Sequence, residues 1–154
     1  MAHTADRRVV LTLSDPFVVQ MKRDAIADYV AGHVDILLGN DEEIKALYET
    51  DDLTTALGML AKQVELSVVT RGSAGCLIVT PDHVTPVACD PVPNVIDTTG
   101  AGDIFASGFL YGLTHGLAPV EAARLGHQCA GLIIQQIGAR PRQPLRQFVL
   151  SAAA

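Results

Sequence analysis

The sequence predicts an α/β sandwich built on a largely parallel sheet. Short apolar runs alternate along the chain with segments whose apolar residues fall at helical spacing. The segments between successive runs are long enough for the crossover helices that parallel strands require. Gly, Pro, Asn and Asp gather at the joins.

Taken in order, residues 9–13 read as a short buried strand, closed by Ser14-Asp15-Pro16 ahead of an amphipathic helix over about 18–30. Residues 34–38 form a second buried strand. Asn40 opens a helix to about Tyr48, and residues 53–64 form another, with Leu53, Leu57, Leu60 and Val64 along one stripe. The chain returns as a strand over 66–70. Residues 76–80 and 84–88 then read as a hairpin around Pro81-Asp82-His83, with Pro86 pushing the second strand toward an edge. A connector marked by Pro91 and Pro93 leads to a helix over 104–115 that buries Ile104, Phe105, Phe109 and Leu113. Gly108 and Gly112 on that flank permit close backbone approach, Gly116 ends the helix, and Pro119 starts the last one.

Composition sets the outer limits. The chain has 154 residues, 49% hydrophobic and 18% charged, enough apolar content for one core and for one domain or part of one. The 11 Lys and Arg stand against 17 Asp and Glu, a net charge of −6 with the cations scattered, which argues against nucleic acid and anionic membrane as partners. Cys76, Cys89 and Cys129 lie far apart and fit neither a disulfide framework nor a CxxC metal site. No apolar run reaches membrane-spanning length and the first residues do not resemble a signal peptide, so a cytoplasmic location is expected. No internal repeat is evident, and low complexity is confined to the terminal alanines 152–154.

Chemistry concentrates in Asp97-Thr98-Thr99-Gly100-Ala101-Gly102-Asp103, which opens directly into a helix. Small residues at a helix start leave successive N–H groups uncovered where the helix dipole is positive, a site suited to an anion. Asp103 in the first turn then stands beside that anion, as phosphoryl transfer requires of a base. Gly and Asp are also ordinary loop and first-turn residues that need no ligand. Spacing excludes two familiar phosphate loops: no Lys follows the glycines, and Phe105 stands where GxGxxG needs its third Gly.

Two further segments carry similar ambiguity. Asn40 and Glu43 supply oxygen ligands acceptable to magnesium, yet an N-cap residue followed three positions later by Glu is equally a capping box. Thr70-Arg71-Gly72-Ser73-Ala74-Gly75 is a glycine turn that could approach a ligand closely or simply connect two strands. His127 shares a helix face with Val120, Ala123, Ala130 and Ile134, the setting of a packed core histidine. His3, His33, His83 and His115 make no ligand pattern with it, and catalytic zinc is not indicated.

The string from Asp97 to Leu110 resembles the signature of the ribokinase-like (PfkB) sugar and nucleoside kinases. The resemblance runs from Val9 to about Arg142 and covers the C-terminal, nucleotide-binding half of that family's three-layer α/β/α sandwich. It implies a partial kinase domain over 1–154, without the acceptor-binding half and lid, with Met1 an internal or misassigned start or the molecule a truncated product. It implies ATP as phosphoryl donor, with Asp103 as catalytic base and the N–H groups of Gly100, Ala101 and Gly102 as the anion hole. Asn40 and Glu43 match the family's NxxE motif, which organises magnesium and its waters. Thr70, Gly72 and Gly75 match its T-x-G-x-x-G turn against the nucleotide, and His127 matches a position bordering adenine in ribokinase.

Family members often bind a monovalent cation, and the matching positions are Asp97, Thr99 and backbone carbonyls near Ile133 and Gly138. Arg142 replaces a small hydroxyl residue at the last of these positions and departs from the pattern for potassium. Leu13-Ser14-Asp15-Pro16-Phe17 before VDILLGN, and the IIQQIGARP ending, are similar to adenosine kinases and make adenosine the leading acceptor, ahead of ribose, fructose and related sugars. The chain alone is expected to have negligible kinase activity and to self-associate through an exposed sheet edge. A non-catalytic ATP-binding remnant, a regulatory partner and an idle α/β module are the competing readings.

Overall fold

The computed structural model describes residues 2–142, 144 and 145; Met1 and the terminal alanines 152–154 lie outside them. The described chain forms two compact units. One comprises the residues up to Gly72 together with Cys76–Pro86, and the other Ser73–Gly75 together with the described residues from Val87 onward.

The first unit is built on β1 (Val10–Thr12), β2 (Ile36–Asn40), β3 (Leu66–Thr70), β4 (Cys76–Val79) and β5 (Val84–Val87), side by side in chain order. β1, β2 and β3 run parallel and β4 turns antiparallel to β3. The sharp return into β4 follows the glycine turn, while the parallel steps are bridged by helices: α1 (Pro16–Met21) and α2 (Arg23–His33), then α3 (Asp41–Leu47) and α4 (Leu53–Leu60). Leu37 of β2, Val69 of β3 and Val79 of β4 share one face of the sheet and bury against Val19, Val30, Ile44, Leu47 and Leu60 of these helices. Ile36, Leu38, Val68 and Ile78 on the opposite face are buried too, so β2 and β3 are buried on both faces, as parallel strands usually are. β5 lies at the sheet's far edge with three exposed residues before buried Val87, as Pro86 led one to expect.

Several boundaries differ from expectation for local reasons. The helix expected over 18–30 is two helices, and it begins at Pro16 because the Asp15 carboxylate caps the N–H groups of Phe17 and Val18. Lys22, at φ −123° and ψ 21°, interrupts the two, a break that apolar periodicity cannot register. β2 sits two residues later than expected, since the amides of Asp35 and Ile36 both donate to the Val9 carbonyl and set the register Val10 against Ile36. α4 ends at Leu60, and Lys62 and Gln63 close it through turn bonds to Met59 and Leu60.

The second unit is organised by α5 (Ala101–Thr114) packed on α6 (Pro119–Ile133). A Cβ on Gly108 would lie 3.0 Å from the Gly126 Cα, and one on Gly112 would lie 2.9 Å from the Ala122 Cα. The helices therefore meet backbone to backbone along the glycine flank. This close approach buries Gly108 and Gly112 with Phe105 and Phe109, while Ile104 and Leu113, expected in the core, are only half-buried. Gly116, at φ +86°, turns the chain after α5, and Pro119 occupies the first turn of α6.

Candidate active site

Within the second unit, the glycine signature forms the N-terminus of α5. Gly100 is the N-cap with φ +77°, a conformation that glycine adopts without penalty. A Cβ there would also meet the Ala139 Cβ at 2.6 Å, so the loop rests directly on the turn at Gly138 and Ala139. Gly102 faces open space, with nothing within 4 Å of where a Cβ would sit.

Of the amides expected to face an anion, Ala101 donates to the Thr98 carbonyl at 3.1 Å. The amides of Gly100 and Gly102 have no hydrogen-bond partner among the described residues, and the amide of Asp103 joins them. The Asp103 side chain is exposed, and its carboxylate is bonded to no described residue. An N-terminal dipole, bare N–H groups and an uncommitted carboxylate thus share one helical turn.

Asp97 ties this loop to the end of α6. One carboxylate oxygen accepts from the Thr99 amide at 2.9 Å and the Thr99 hydroxyl at 2.6 Å, and the other accepts from the Gly138 amide at 2.8 Å. The Thr99 hydroxyl, the Gly138 amide and the Thr99 amide hold the Asp97 carboxyl below its ordinary pKa. The Ile134 carbonyl accepts from the amides of Ile96 and Asp97, and the Ile133 carbonyl accepts from the Gln136 amide. The residues matched to a monovalent cation are therefore adjacent, with their polar groups engaged in holding the loop.

His127 packs its ring against Phe105 at 4.9 Å, and its Nε2 is buried without a hydrogen-bond partner among the described residues. Burial lowers its pKa, with Asp90 opposing, so the neutral ring is favoured. It lines an open cavity of about 490 Å³ between α6 and the segment from Ala88 to Pro93, alongside Asp90, Val92, Gln128 and Gly131. Sequence reasoning treated that segment as a connector and missed its lining residues. Pro91 and Pro93, which restrict the backbone of that segment, were the available signal.

Gly75, at φ +84°, belongs to the same unit. A Cβ there would lie 2.1 Å from the Val87 carbonyl oxygen, so this glycine is required by packing whatever it binds. Gly72, at φ +54°, has open space around it.

Within the first unit, register sets Asn40 opposite Thr70 at the C-terminal ends of two parallel strands, where open α/β sheets receive ligands. The Thr70 hydroxyl donates to the Gly39 carbonyl at 3.4 Å. Asn40 and Glu43 form a complete capping box: the Glu43 amide donates to the Asn40 side chain at 2.8 Å, and the Asn40 amide to the Glu43 carboxylate at 2.9 Å. The Asn40 side-chain amide donates to the other Glu43 oxygen at 2.8 Å.

Glu43 is only 5% exposed. Burial raises its pKa, the Asn40 amide opposes, and the like charge of Asp15 adds to the rise. A divalent cation held through waters would reverse that tendency, and the oxygen-only donor set suits magnesium. Among the described residues no cluster of His, Cys, Asp and Glu forms a ready-made inner coordination shell. No described helix is long and apolar enough to cross a membrane.

Residues 1–146 match the pfkB family carbohydrate kinases. The chain is 41% identical over 110 residues to an uncharacterised sugar kinase of Archaeoglobus fulgidus, covering 71% of this chain and 43% of that protein. It is 29% identical to the adenosine kinase of Schizosaccharomyces pombe, covering 97% of this chain and 48% of that protein. The crystal structure of adenosine kinase from Sinorhizobium meliloti superposes with a TM-score of 0.94 at 39% identity, over 98% of this chain and 46% of that one. The chain thus spans about half the length of the relatives it matches and has the ribokinase-type α/β fold. It belongs to the pfkB family of carbohydrate kinases.

Proposed function

We propose that the chain carries the phosphoryl-donor side of an ATP-dependent kinase that phosphorylates a hydroxyl of a nucleoside or sugar, with adenosine ahead of ribose, fructose and related sugars. The observation that carries this reading is the N-terminus of α5, where the amides of Gly100 and Gly102 have no partner among the described residues, Gly102 faces open space, and the carboxylate of Asp103 beside them is uncommitted. Asp103 takes the proton of the acceptor hydroxyl as its oxygen attacks the γ-phosphorus, and ADP departs. The N–H groups of Gly100, Ala101 and Gly102 hold the charge that develops, with Ala101 exchanging its bond to Thr98 for one to phosphate.

Thr70, Gly72, Gly75 and His127 border the nucleotide. Asn40 and Glu43 orient waters around magnesium, which when bound neutralises phosphate charge. Asp97 and Thr99, with carbonyls near Ile133 and Gly138, form a potassium site only if Arg142 leaves room for one. Adenosine is favoured by the LSDPF and IIQQIGARP segments and by the adenosine kinases among the relatives; the sugar kinase relative keeps sugars in view. The reading is consistent with a cytoplasmic location.

The test is Asp103→Asn in an assay of ADP release over a panel of nucleosides and sugars. Whatever ADP release the wild-type chain shows should be lost in the variant while ATP binding, followed by calorimetry with magnesium, is retained; release that survives the substitution excludes the base role. A second reading, an ATP-binding partner without turnover of its own, draws on the half-length match to the relatives. It expects binding and no ADP release, and absence of binding removes both.

A further inference from the structure

Past the end of α6 the chain turns through residues 137–142, and among the described residues no backbone-to-backbone hydrogen bond holds that turn. Side-chain bonds hold it instead, and Gln136 supplies two of them. Its Nε2 donates to the Arg140 carbonyl at 2.6 Å, and its Oε1 accepts from the Arg142 amide at 3.2 Å. One partner offers only an acceptor and the other only a donor, so both ends of the carboxamide are used as their chemistry requires. Gln136 is half-buried, and its own amide is tied to the Ile133 carbonyl at 3.2 Å. The adjacent Gln135 bonds back to the Gly131 carbonyl within α6 and plays no such part.

The clamped turn bears directly on the loop that leads into α5. Gly138, at φ +89°, donates its amide to one oxygen of Asp97 at 2.8 Å, while the other oxygen holds the amide and hydroxyl of Thr99. Ala139 lies against Gly100, where a Cβ would fall 2.6 Å from its own. Two consecutive residues of the turn therefore support both Asp97 and Gly100. A loop already held in its binding geometry loses less conformational freedom when a ligand arrives, and binds more tightly for that reason.

We propose that Gln136 is a positioning residue for the phosphate-binding loop. Its carboxamide holds the 137–142 turn so that Gly138 and Ala139 fix Asp97 and Gly100, and with them the free amides at the start of α5. No hydrogen bond among the described residues joins the Gln136 side chain to the loop itself, so its action runs through the turn. The inference rests on the assignment of that loop to phosphate under the proposed function.

The test compares Gln136→Met, Gln136→Glu and Gly116→Ala with the wild-type chain. Methionine keeps the length of the side chain and removes both bonds. Glutamate keeps an acceptor for the Arg142 amide but sets a carboxylate against the Arg140 carbonyl. Gly116→Ala controls for a general loss of stability: it forces alanine to φ near +86° at the far end of α5, in open space.

In hydrogen exchange without ligand, Gln136→Met should lower protection of the Gly138 and Thr99 amides about tenfold while the central amides of α5 and α6 keep theirs. Calorimetry with ATP and magnesium should show affinity about tenfold weaker in Gln136→Met, no less weakened in Gln136→Glu, and unchanged in Gly116→Ala. Unaltered exchange at Gly138 and Thr99, or an equal loss throughout both helices, overturns the clamp. Wild-type affinity in the Gln136 variants, or an equal loss in Gly116→Ala, overturns the positioning role. A wild-type chain that binds no ATP removes the proposed function and this inference with it. That failure is distinguishable from a failed clamp, because the exchange experiment reads the turn without any ligand.

Discussion

Gly100 and Gly102 stand two residues apart in one turn, and the structure separates what each is for. Alanine at 100 must hold φ near +77°, which costs an L-residue about 1–2 kcal/mol. Its Cβ would also press on the Ala139 Cβ at 2.6 Å and the Ala139 Cα at 3.0 Å, and overpacking of this kind costs about 1–3 kcal/mol. Gly100→Ala is therefore expected to destabilise by about 2–5 kcal/mol, a drop in Tm of roughly 10 °C for a chain of this size. Gly102→Ala meets no atom within 4 Å and replaces the poorest helix former bar proline, so stability should hold or rise by up to about 1 kcal/mol.

Thermal denaturation followed by circular dichroism compares the two, and the double variant Gly100→Ala with Ala139→Gly apportions the cost. Removing the Ala139 Cβ should recover about 1 kcal/mol of the steric share and leave the backbone share in place. Gly102→Ala should nonetheless weaken ATP binding, because its methyl group enters the space in which the proposed function places phosphate. A Gly100→Ala protein as stable as the wild type, or a Gly102→Ala protein equally damaged, would refute the assignment of Gly100 to backbone geometry and Gly102 to open access.

Three further outcomes are expected. Ser67, 1% exposed on the face between Leu37 and Val79, has a buried hydroxyl with no hydrogen-bond partner among the described residues, so Ser67→Ala should stabilise by about 1 kcal/mol in denaturant titration; a loss of stability would contradict this. Asp97, whose pKa is lowered by Thr99 and Gly138, contributes stability that is present above the unfolded carboxylate value of about 3.9 and lost as pH falls through the folded one. The stability difference between wild type and Asp97→Asn should accordingly fade in acid and stay constant from pH 5 to 7. Glu43 has the opposite sign: its raised pKa means that folding is favoured while it is protonated, and stability falls as pH rises through the interval above its ordinary value. NMR titration of the two carboxyl groups should place Asp97 below and Glu43 above their ordinary values.

Elements with strong local signals were legible in the sequence. β3 lies over the expected residues 66–70, α6 starts at the expected Pro119, and Asn40 opens α3. Capping chemistry and a buried apolar run act within a few residues of chain, so they read directly. Asp15 shows the limit of that reading. Along the chain it reads only as part of a turn, yet its side-chain bonds to Phe17 and Val18 start α1 two residues before the expected helix. The placement of Gly100, Gly102 and Asp103 at the start of a helix was likewise legible, because a helix N-terminus needs only sequence neighbours to form.

What sequence alone determined was the family signature, the order of strands and helices, and which residue types could meet an anion or magnesium. Only tertiary structure decided which donors are free. The Ala101 amide is taken by Thr98, Asp97 is clasped by Gly138 from 41 residues away, and Gly75 is imposed by the Val87 carbonyl. Tertiary structure also decided that Gly108 and Gly112 displace Ile104 and Leu113 from the centre of the α5 face, since the backbone of α6 comes too near for side chains there. The reason is common to all of these: a hydrogen-bond partner or a forbidden Cβ is a property of two chain segments brought together, and periodicity along one segment carries no record of the other.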